Sequence, residues 1–502
     1  MMRLLARLVL VLAVLWVTGA ATPALAQIDV PPPDIHETLD GRGVDLATGK
    51  YDLAVATVSV GPAGVGGLSD TYRMRAGHSI LGGVSSVREY PLPTSTYIVT
   101  VMGQAVTFQQ TGAGDFLPAN GVGGTLTRSG TTFTYTDLDG NVAVFSTTVK
   151  NLAGMGSEAL ISSITRRSGE VITYHYKAVS GQYRVQSVTN TLGYQIHFEY
   201  GTSGTTVTAI NNAVDACGQT AATCVTTRDW PSMTIGSGGV TDSLGRTTRW
   251  IGGAVYRPTA TTTPSLTYTV QTVPPAVLRW SVVKTVSDGA GVWTYGFSRP
   301  TMIDPTEFIP GLGATTVTDS LGRTTTYGVM WSRYGATLTL DDMRARVVSA
   351  TDGTGATTQY SYNDLGNLAS ITHPEGDVET WTYTARGDLQ SWTHTPKSGS
   401  GLAPVSVTAT YPATCTGGMC GRPTSLTDAR GNVTDYTYDA AGNLLTETGP
   451  APTPGAARPQ TRYVWAQRYA WYKRNGSSTI TRAATPVWVQ VEQSQCMTGA
   501  TC

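Results

Sequence analysis

Apolar and polar positions alternate with a period of two along much of this chain. In Tyr360-Ser-Tyr362-Asn-Asp364-Leu-Gly366-Asn367-Leu368 and Trp381-Thr-Tyr383-Thr-Ala-Arg-Gly387-Asp388-Leu389, rings and small polar residues take alternate places. That is the mark of a strand with one buried face. The block returns as Tyr436-Thr-Tyr438-Asp439-Ala-Ala-Gly442-Asn443-Leu444-Leu445. Between Asp352 and Trp392 the glycines Gly355, Gly366, Gly376 and Gly387 stand eleven, ten and eleven residues apart. A turn that often leaves room only for short strands, so the pattern predicts antiparallel hairpins and no long helices.

The turns share a sequence of their own, Asp-x-x-Gly-(Arg/Asn)-x-x-x-aromatic. It runs from Asp137 through Gly140-Asn141 to Phe145, from Asp242 through Gly245-Arg246 to Trp250, from Asp319 through Gly322-Arg323 to Tyr327, and from Asp428 through Gly431-Asn432 to Tyr436. Weaker copies span Gly169 to Tyr174 and Gly193 to Phe198. Glycine supplies the positive φ of a tight hairpin turn, and the preceding Asp can accept hydrogen bonds from turn amides. The turn thereby sets strand register. Each Tyr-x-Tyr pair places two rings on one sheet face, where aromatic neighbours across strands add about 0.2–1 kcal/mol.

Composition agrees with an all-β reading. The 502 residues include about 80 Thr, 57 Gly and 24 Tyr, with 34 Lys+Arg balancing 34 Asp+Glu and only 14% charged residues. A neutral, charge-poor chain lacks the electrostatic footprint of a nucleic-acid binder and the composition of a disordered one. No nucleic-acid partner is expected.

Residues 1–26 read as a signal peptide. Arg3 and Arg7 open it, Leu8–Val17 form an apolar core, and Ala24-Leu25-Ala26 is a small-x-small cleavage site. Ten apolar residues are too few to span about 30 Å of hydrocarbon, and no later run reaches eighteen, so no transmembrane span is expected. The implied localisation is export, to the periplasm, cell surface or medium. In an oxidising compartment the six cysteines fall into three close pairs, Cys217 with Cys224, Cys415 with Cys420 and Cys496 with Cys502. Each pair most simply closes a local disulfide worth roughly 2–2.5 kcal/mol by loop-closure entropy. No histidine accompanies any pair and none has Cys-x-x-Cys spacing, which disfavours metal.

The Tyr-x-Tyr-Asp-x-x-Gly-Asn-Leu pattern at Tyr436–Leu444, with Asn363-Asp364 in its place at Tyr360–Leu368, resembles the YD-repeat, or Rhs (rearrangement hotspot), family. The resemblance covers roughly residues 130–450. It implies a long antiparallel β-sheet spiralling into a shell, in proteins that enclose a C-terminal toxin or take part in cell-surface contact. The residues carrying it are Asp242, Gly245, Arg246, Asp319, Gly322, Arg323, Tyr360, Tyr362, Asp364, Gly366, Tyr436, Tyr438, Asp439, Gly442 and Asn443. Gly43–Tyr51 with Gly66-Gly67-Leu68-Ser69 is similar to the segment that precedes such repeats. The organisation expected is a signal peptide (1–26), a β-rich N-terminal segment (27–130), the repeat array (131–450) and an aromatic, basic β segment (451–502). The self-cleavage motif of toxin-bearing members is not found. Asp304-Pro305 lies mid-array in another context, so no catalytic residue is carried over. The chain stops at Cys502 without a capping unit, and the expectation is a fragment, a split frame or the front half of a larger shell, with an effector encoded downstream as a candidate partner.

Other chemistry is sparse. The six histidines, His36, His78, His175, His197, His373 and His394, are scattered singly and read as structural. Asp137-Leu-Asp139-Gly140-Asn141 offers oxygens for calcium but lacks the distal Glu of an EF-hand loop and fits the turn instead. The glycine clusters lack Gly-Lys-Ser/Thr, and neither metal nor cofactor is expected. Asp341, Asp342, Glu375 and Glu379 offer acids for glycoside hydrolysis, with nothing selecting a pair. Near the C-terminus, Tyr463, Trp465 and Trp471 interleave with arginines before a hairpin at Asn475-Gly476, a candidate contact for cell-wall glycan or another packed hairpin. The expected function is a non-enzymatic exported shell scaffold in a cell-surface contact or toxin-encapsulating system. The alternative is a carbohydrate-binding or carbohydrate-active secreted β protein. An unpaired terminal strand is expected to favour self-association.

Overall fold

The computed structural model describes residues 38–496 except 64–65, 75–77, 84, 91–95, 112–113, 119–122, 153–155, 180–181, 261, 274–279, 299–310, 334–342 and 414–416. The expected signal peptide lies outside these residues, as do Asp304-Pro305, Asp341, Asp342, Cys415 and Cys502. Among the described residues there are thirty-seven strands and a single 3-10 turn, Gly417–Met419, with no α-helix. Nearly every strand pairs antiparallel with its sequence neighbours, so the array forms one long ribbon.

Among the described residues the ribbon branches once. One edge of strand Gly156–Thr165 is shared: Ser163–Thr165 pair with strand Val171–Val179, while Glu158–Leu160 pair with strand Ser86–Tyr90. The branch curls strands between Ser86 and Thr165 around a closed aromatic core. Tyr97 meets Phe116 edge-on at 4.9 Å and tilts against Phe133, and Phe108 meets Tyr135. Alternation explains the burial, since Phe133 and Tyr135 point inward while Thr132, Thr134 and Thr136 face away.

The N-terminal segment lies on the apolar face of the later ribbon. Val44, Leu46 and Tyr51 join Val283, Val286, Trp293 and Tyr295 in one cluster. The Tyr295 hydroxyl donates to Asp40 Oδ2 at 2.6 Å, and Arg42 stacks over Trp293 at 3.5 Å. The short sheet begun by Ala54–Val60 and Leu68–Arg73 continues this cover, with Tyr72 stacked on Trp250. At the far end, strand Val487–Cys496 pairs with Gln460–Arg468 along one edge.

Candidate functional site

The repeat turn closes through reciprocal hydrogen bonds. At Asp319 the backbone N–H donates to the Arg323 carbonyl, while Asp319 Oδ1 accepts from the amides of Leu321 and Arg323. Its Oδ2 accepts from Arg323 Nε at 2.7 Å. Asp242 with Arg246, and Asp428 and Asp439 with Asn432 and Asn443, repeat the arrangement. This explains the Arg/Asn alternation after the glycine, because either side chain donates back to the same carboxylate. The Arg323 hydrogen bond holds the Asp319 carboxyl below its usual pKa, and Asn432 does the same for Asp428. One assignment needs correcting. At Tyr360–Leu368 the turn is capped by Asn363, whose Oδ1 accepts from the Asn367 amide, whereas Asp364 is exposed. An Asn amide oxygen serves as well as a carboxylate, and the capping place is three residues before the glycine.

The second tyrosine of five aromatic-x-Tyr pairs has a function that alternation alone does not reveal. Tyr362 donates its hydroxyl to the Val347 carbonyl, Tyr383 to Leu368, Tyr438 to Pro423, Tyr176 to Ile161 and Tyr200 to Val185. Each reaches back fifteen residues. Four of these acceptors sit at β-bulges, where one strand carries an extra residue: Ser162, Gln186, Val348 and Ala369 are skipped in the pairing. Tyr411 and Trp465 cap the bulges at Leu389 and Leu444 in the same way. A bulge interrupts the ladder and frees backbone groups, and a carbonyl left unpaired inside a protein costs about 1–3 kcal/mol. The next unit's phenol removes that cost. Burial pushes the pKa of Tyr200, Tyr362 and Tyr438 up to about 12, and raises those of Tyr176 and Tyr383 further.

The middle residue of the pair points to the opposite face. Ser361 hydrogen-bonds Ser370, Thr382 bonds Ser391 and Thr437 bonds Thr446, at 2.6–2.7 Å. Threonines flanking the Asp-x-x-Gly turn pair likewise, as Thr241 with Thr247, Thr318 with Thr324 and Thr351 with Thr357. The abundant threonine therefore paves one face of the ribbon with cross-strand hydroxyl pairs.

Later repeats dock on the turns of earlier strands. The Gly124 amide donates to the Arg386 carbonyl, and the Arg386 guanidinium donates to the carbonyl of Asp137. Further along, Lys473 N–H donates to the Asn212 carbonyl, its Nζ donates to Val214 O, and Trp488 N–H donates to Ser168 O. These contacts form a seam between windings. Burial raises the carboxyl pKa of Asp137 and Asp388 along it, and burial together with the neighbouring Arg167 charge lowers Arg422 to about 10.

Cys217 and Cys224 form a disulfide with Cα atoms 5.4 Å apart; Cys420 is disulfide-bonded, and so, separately, is Cys496. The structure does not assemble the aromatic surface expected near the C-terminus. Tyr463 is buried in a core cluster, Trp465 caps the Leu444 bulge, and exposed Trp471 belongs to a separate hairpin. Two of those rings are spent on packing, so a glycan platform there is not supported. Asn475 and Gly476 do take the positive φ values of that hairpin's turn. Glu379 accepts from Trp392 Nε1 and its other oxygen meets His373 Nε2, while Glu375 is exposed. No group of three or more His, Cys, Asp or Glu residues suited to a metal occurs among the described residues. No described helix is long and apolar enough to cross a membrane.

Three segments of the chain, residues 346–378, 362–399 and 421–453, match the family described as RHS Repeat. The aromatic-x-Tyr units at Tyr360, Trp381 and Tyr436 fall within them, so the chain carries RHS repeats in this region. No curated protein matches the chain. Among solved structures, it is similar to the crystal structure of TcdB2-TccC3 at 12% identity, covering 80% of this chain and 25% of that one with a TM-score of 0.30. The same complex without its hypervariable C-terminal region gives 12% identity, 80% and 22% coverage and a TM-score of 0.29. The Photorhabdus luminescens Tc holotoxin pore gives 11%, 79%, 24% and 0.19. The chain thus spans about a quarter or less of the length of these structures.

Proposed function

We propose that this chain is an exported, non-enzymatic shell scaffold, a wall wound from one antiparallel ribbon that serves in cell-surface contact or in enclosing a toxic polypeptide. The seam carries this reading. Backbone and side-chain bonds join turns near residues 124–214 to repeats near 386–488, so the ribbon lies against itself as a wall does. The RHS repeats and the clamp that joins each unit to the one before it favour a structural role. Disulfide staples, which persist in oxidising compartments, favour export.

The test is protease protection. The chain is produced together with the polypeptide encoded immediately downstream of it and exposed to a broad-specificity protease. A wall that encloses its neighbour leaves that polypeptide intact while the chain is present and degraded when it is absent. Equal digestion in both cases contradicts the enclosing role.

A further inference from the structure

Residues 212–231 connect strand Gly204–Asn211 to strand Ser232–Gly236 and lie over the sheet face opposite the main apolar cluster. On the cluster side are Tyr174, Val188, Ile196 and Phe198. Strand register sets the row His175–Ser187–His197–Thr208 across the other side. Three hydrogen bonds pin the loop around His197. Gln195, two residues before it, donates from Nε2 to the Cys217 carbonyl. Glu199, two residues after it, accepts from the Cys224 amide at 2.7 Å, and Ser187, beside it on the next strand, donates to the Gln219 carbonyl at 2.7 Å. The Cys217–Cys224 disulfide closes the loop between these anchors, and Ser187, Gln195, His197 and Ile210 beneath it are fully buried. The loop in turn holds the hairpin Trp471–Arg482 of the later winding. Gln219 N–H donates to Asn475 Oδ1 at 2.9 Å, and Lys473 Nζ donates to the Val214 carbonyl at 2.6 Å.

Neither ring nitrogen of His197 has a hydrogen-bond partner. A neutral imidazole survives that at modest cost, whereas an imidazolium, with two N–H donors and a full charge, does not. Burial accordingly lowers the pKa of His197 and outweighs the attraction of Glu199 on the same strand. His175, two strands away in the same row, bonds Thr189 Oγ1 at 2.9 Å and shares a recess with Tyr472 and Arg474 of the hairpin. Burial lowers its pKa to about 4. The elements packed on this face offer these histidines little compensation. Asp215 of the loop is engaged with Thr227 and Trp230 Nε1, and Arg228 and Asp229 are exposed. The charged residues of the hairpin, Lys473, Arg474 and Arg482, are all cations, as is Lys177 further along the His175 strand. The strands below are held by continuous ladders, while the loop is held by a few side-chain bonds. Water therefore reaches His197 at least cost when the loop lifts.

We propose that the loop of residues 212–231 and the hairpin Trp471–Arg482 form an acid-released latch on the seam, in which protonation of His197, with His175, lifts the loop from the sheet and frees the hairpin. Closure is fully favoured above about pH 7 and weakens as the pH falls. A histidine that is neutral in the closed form and titrates at about 6.5 in the open one favours opening about thirtyfold at pH 5. The latch goes beyond the scaffold role and does not depend on it.

Residue-resolved hydrogen exchange on the full chain reads the latch at the Gln219 and Cys224 amides, which donate to Asn475 and Glu199. Their protection factors, corrected for the intrinsic pH dependence of exchange, should fall about thirtyfold or more between about pH 7.5 and 5, while the ladder amides of strands Gln182–Asn190 and Tyr194–Gly201 change less than about threefold. In a variant carrying His197→Met and His175→Gln, the fall at Gln219 and Cys224 should stay below about threefold. Ring titration of the unaltered chain by NMR needs no variant and should show His197 neutral through about pH 5.5, well below the ordinary histidine value. Protection unchanged between pH 7.5 and 5, the same fall in the double variant, or a His197 ring that titrates near the ordinary value with the loop still protected would overturn the latch.

Discussion

Tyr383 illustrates how a single atom links one repeat to another. Its hydroxyl is the partner of the Leu368 carbonyl, freed by the bulge at Ala369. Tyr383→Phe keeps the ring and orphans that carbonyl, so a loss of about 1–3 kcal/mol is expected in urea unfolding. The exposed Tyr183 provides the comparison, and Y183F should change stability by less than about 0.5 kcal/mol. Equal effects from the two would remove the clamp from the account. Titration gives an independent check. The clamp tyrosines have folded pKa values raised by burial from 10.0 to about 12 or beyond, so the folded state holds protons that the unfolded chain has released. Their contribution is complete below pH 10 and is lost as the pH rises through about 12. Stability measured from pH 9 to 12 should therefore fall, and the wild type should fall more steeply than a variant with Tyr200, Tyr362 and Tyr438 replaced by Phe.

At the scale of the hairpin, two repeat glycines with the same backbone conformation separate turn strain from packing. Gly322 and Gly442 have φ of +79° and +80°. A Cβ on Gly322 meets nothing within 4 Å, whereas one on Gly442 runs into the Gly418 carbonyl of the disulfide-bearing segment. Gly322→Ala should cost about 1–2 kcal/mol, the price of a left-handed residue, and Gly442→Ala about 3 kcal/mol or more. Similar Tm losses for both would show that only the turn matters. Much of this scale was legible in the amino-acid order. The Asp-x-x-Gly spacing located the turns at Asp242, Asp319 and Asp439, and alternation located the buried rings. The bulges were not legible, because an extra residue such as Ala369 leaves the period on its own strand intact and shows itself only against the partner strand. A signal does exist in the fifteen-residue interval from Ile161, Val185, Val347, Leu368 and Pro423 to the tyrosines that cap them. An amide cap such as Asn363 is a weaker turn signal in the sequence than the neighbouring carboxylate of Asp364.

Among the described residues the ribbon is joined to itself at the branch at Gly156–Thr165 and along the seam. Neither follows from a local pattern. The branch depends on one edge being divided between two strands, and the seam on partners such as Asn212 and Lys473 that are far apart in sequence. The N-terminal segment shows how sequence-distant pieces cover the apolar face, with Thr315 Oγ1 donating to the Leu46 carbonyl and Val283 N–H donating to Gly49 O.

Winding is tested most directly by hydrogen exchange at the amides of Gly124, Lys473 and Trp488, whose acceptors are Arg386, Asn212 and Ser168. Residue-resolved exchange should find all three protected, with Gly124 losing protection in a variant shortened before residue 380 while the hairpins of residues 160–211 stay protected. Free exchange of these amides in the intact chain, alongside protected hairpins, would mean that the strands form without the ribbon ever closing on itself.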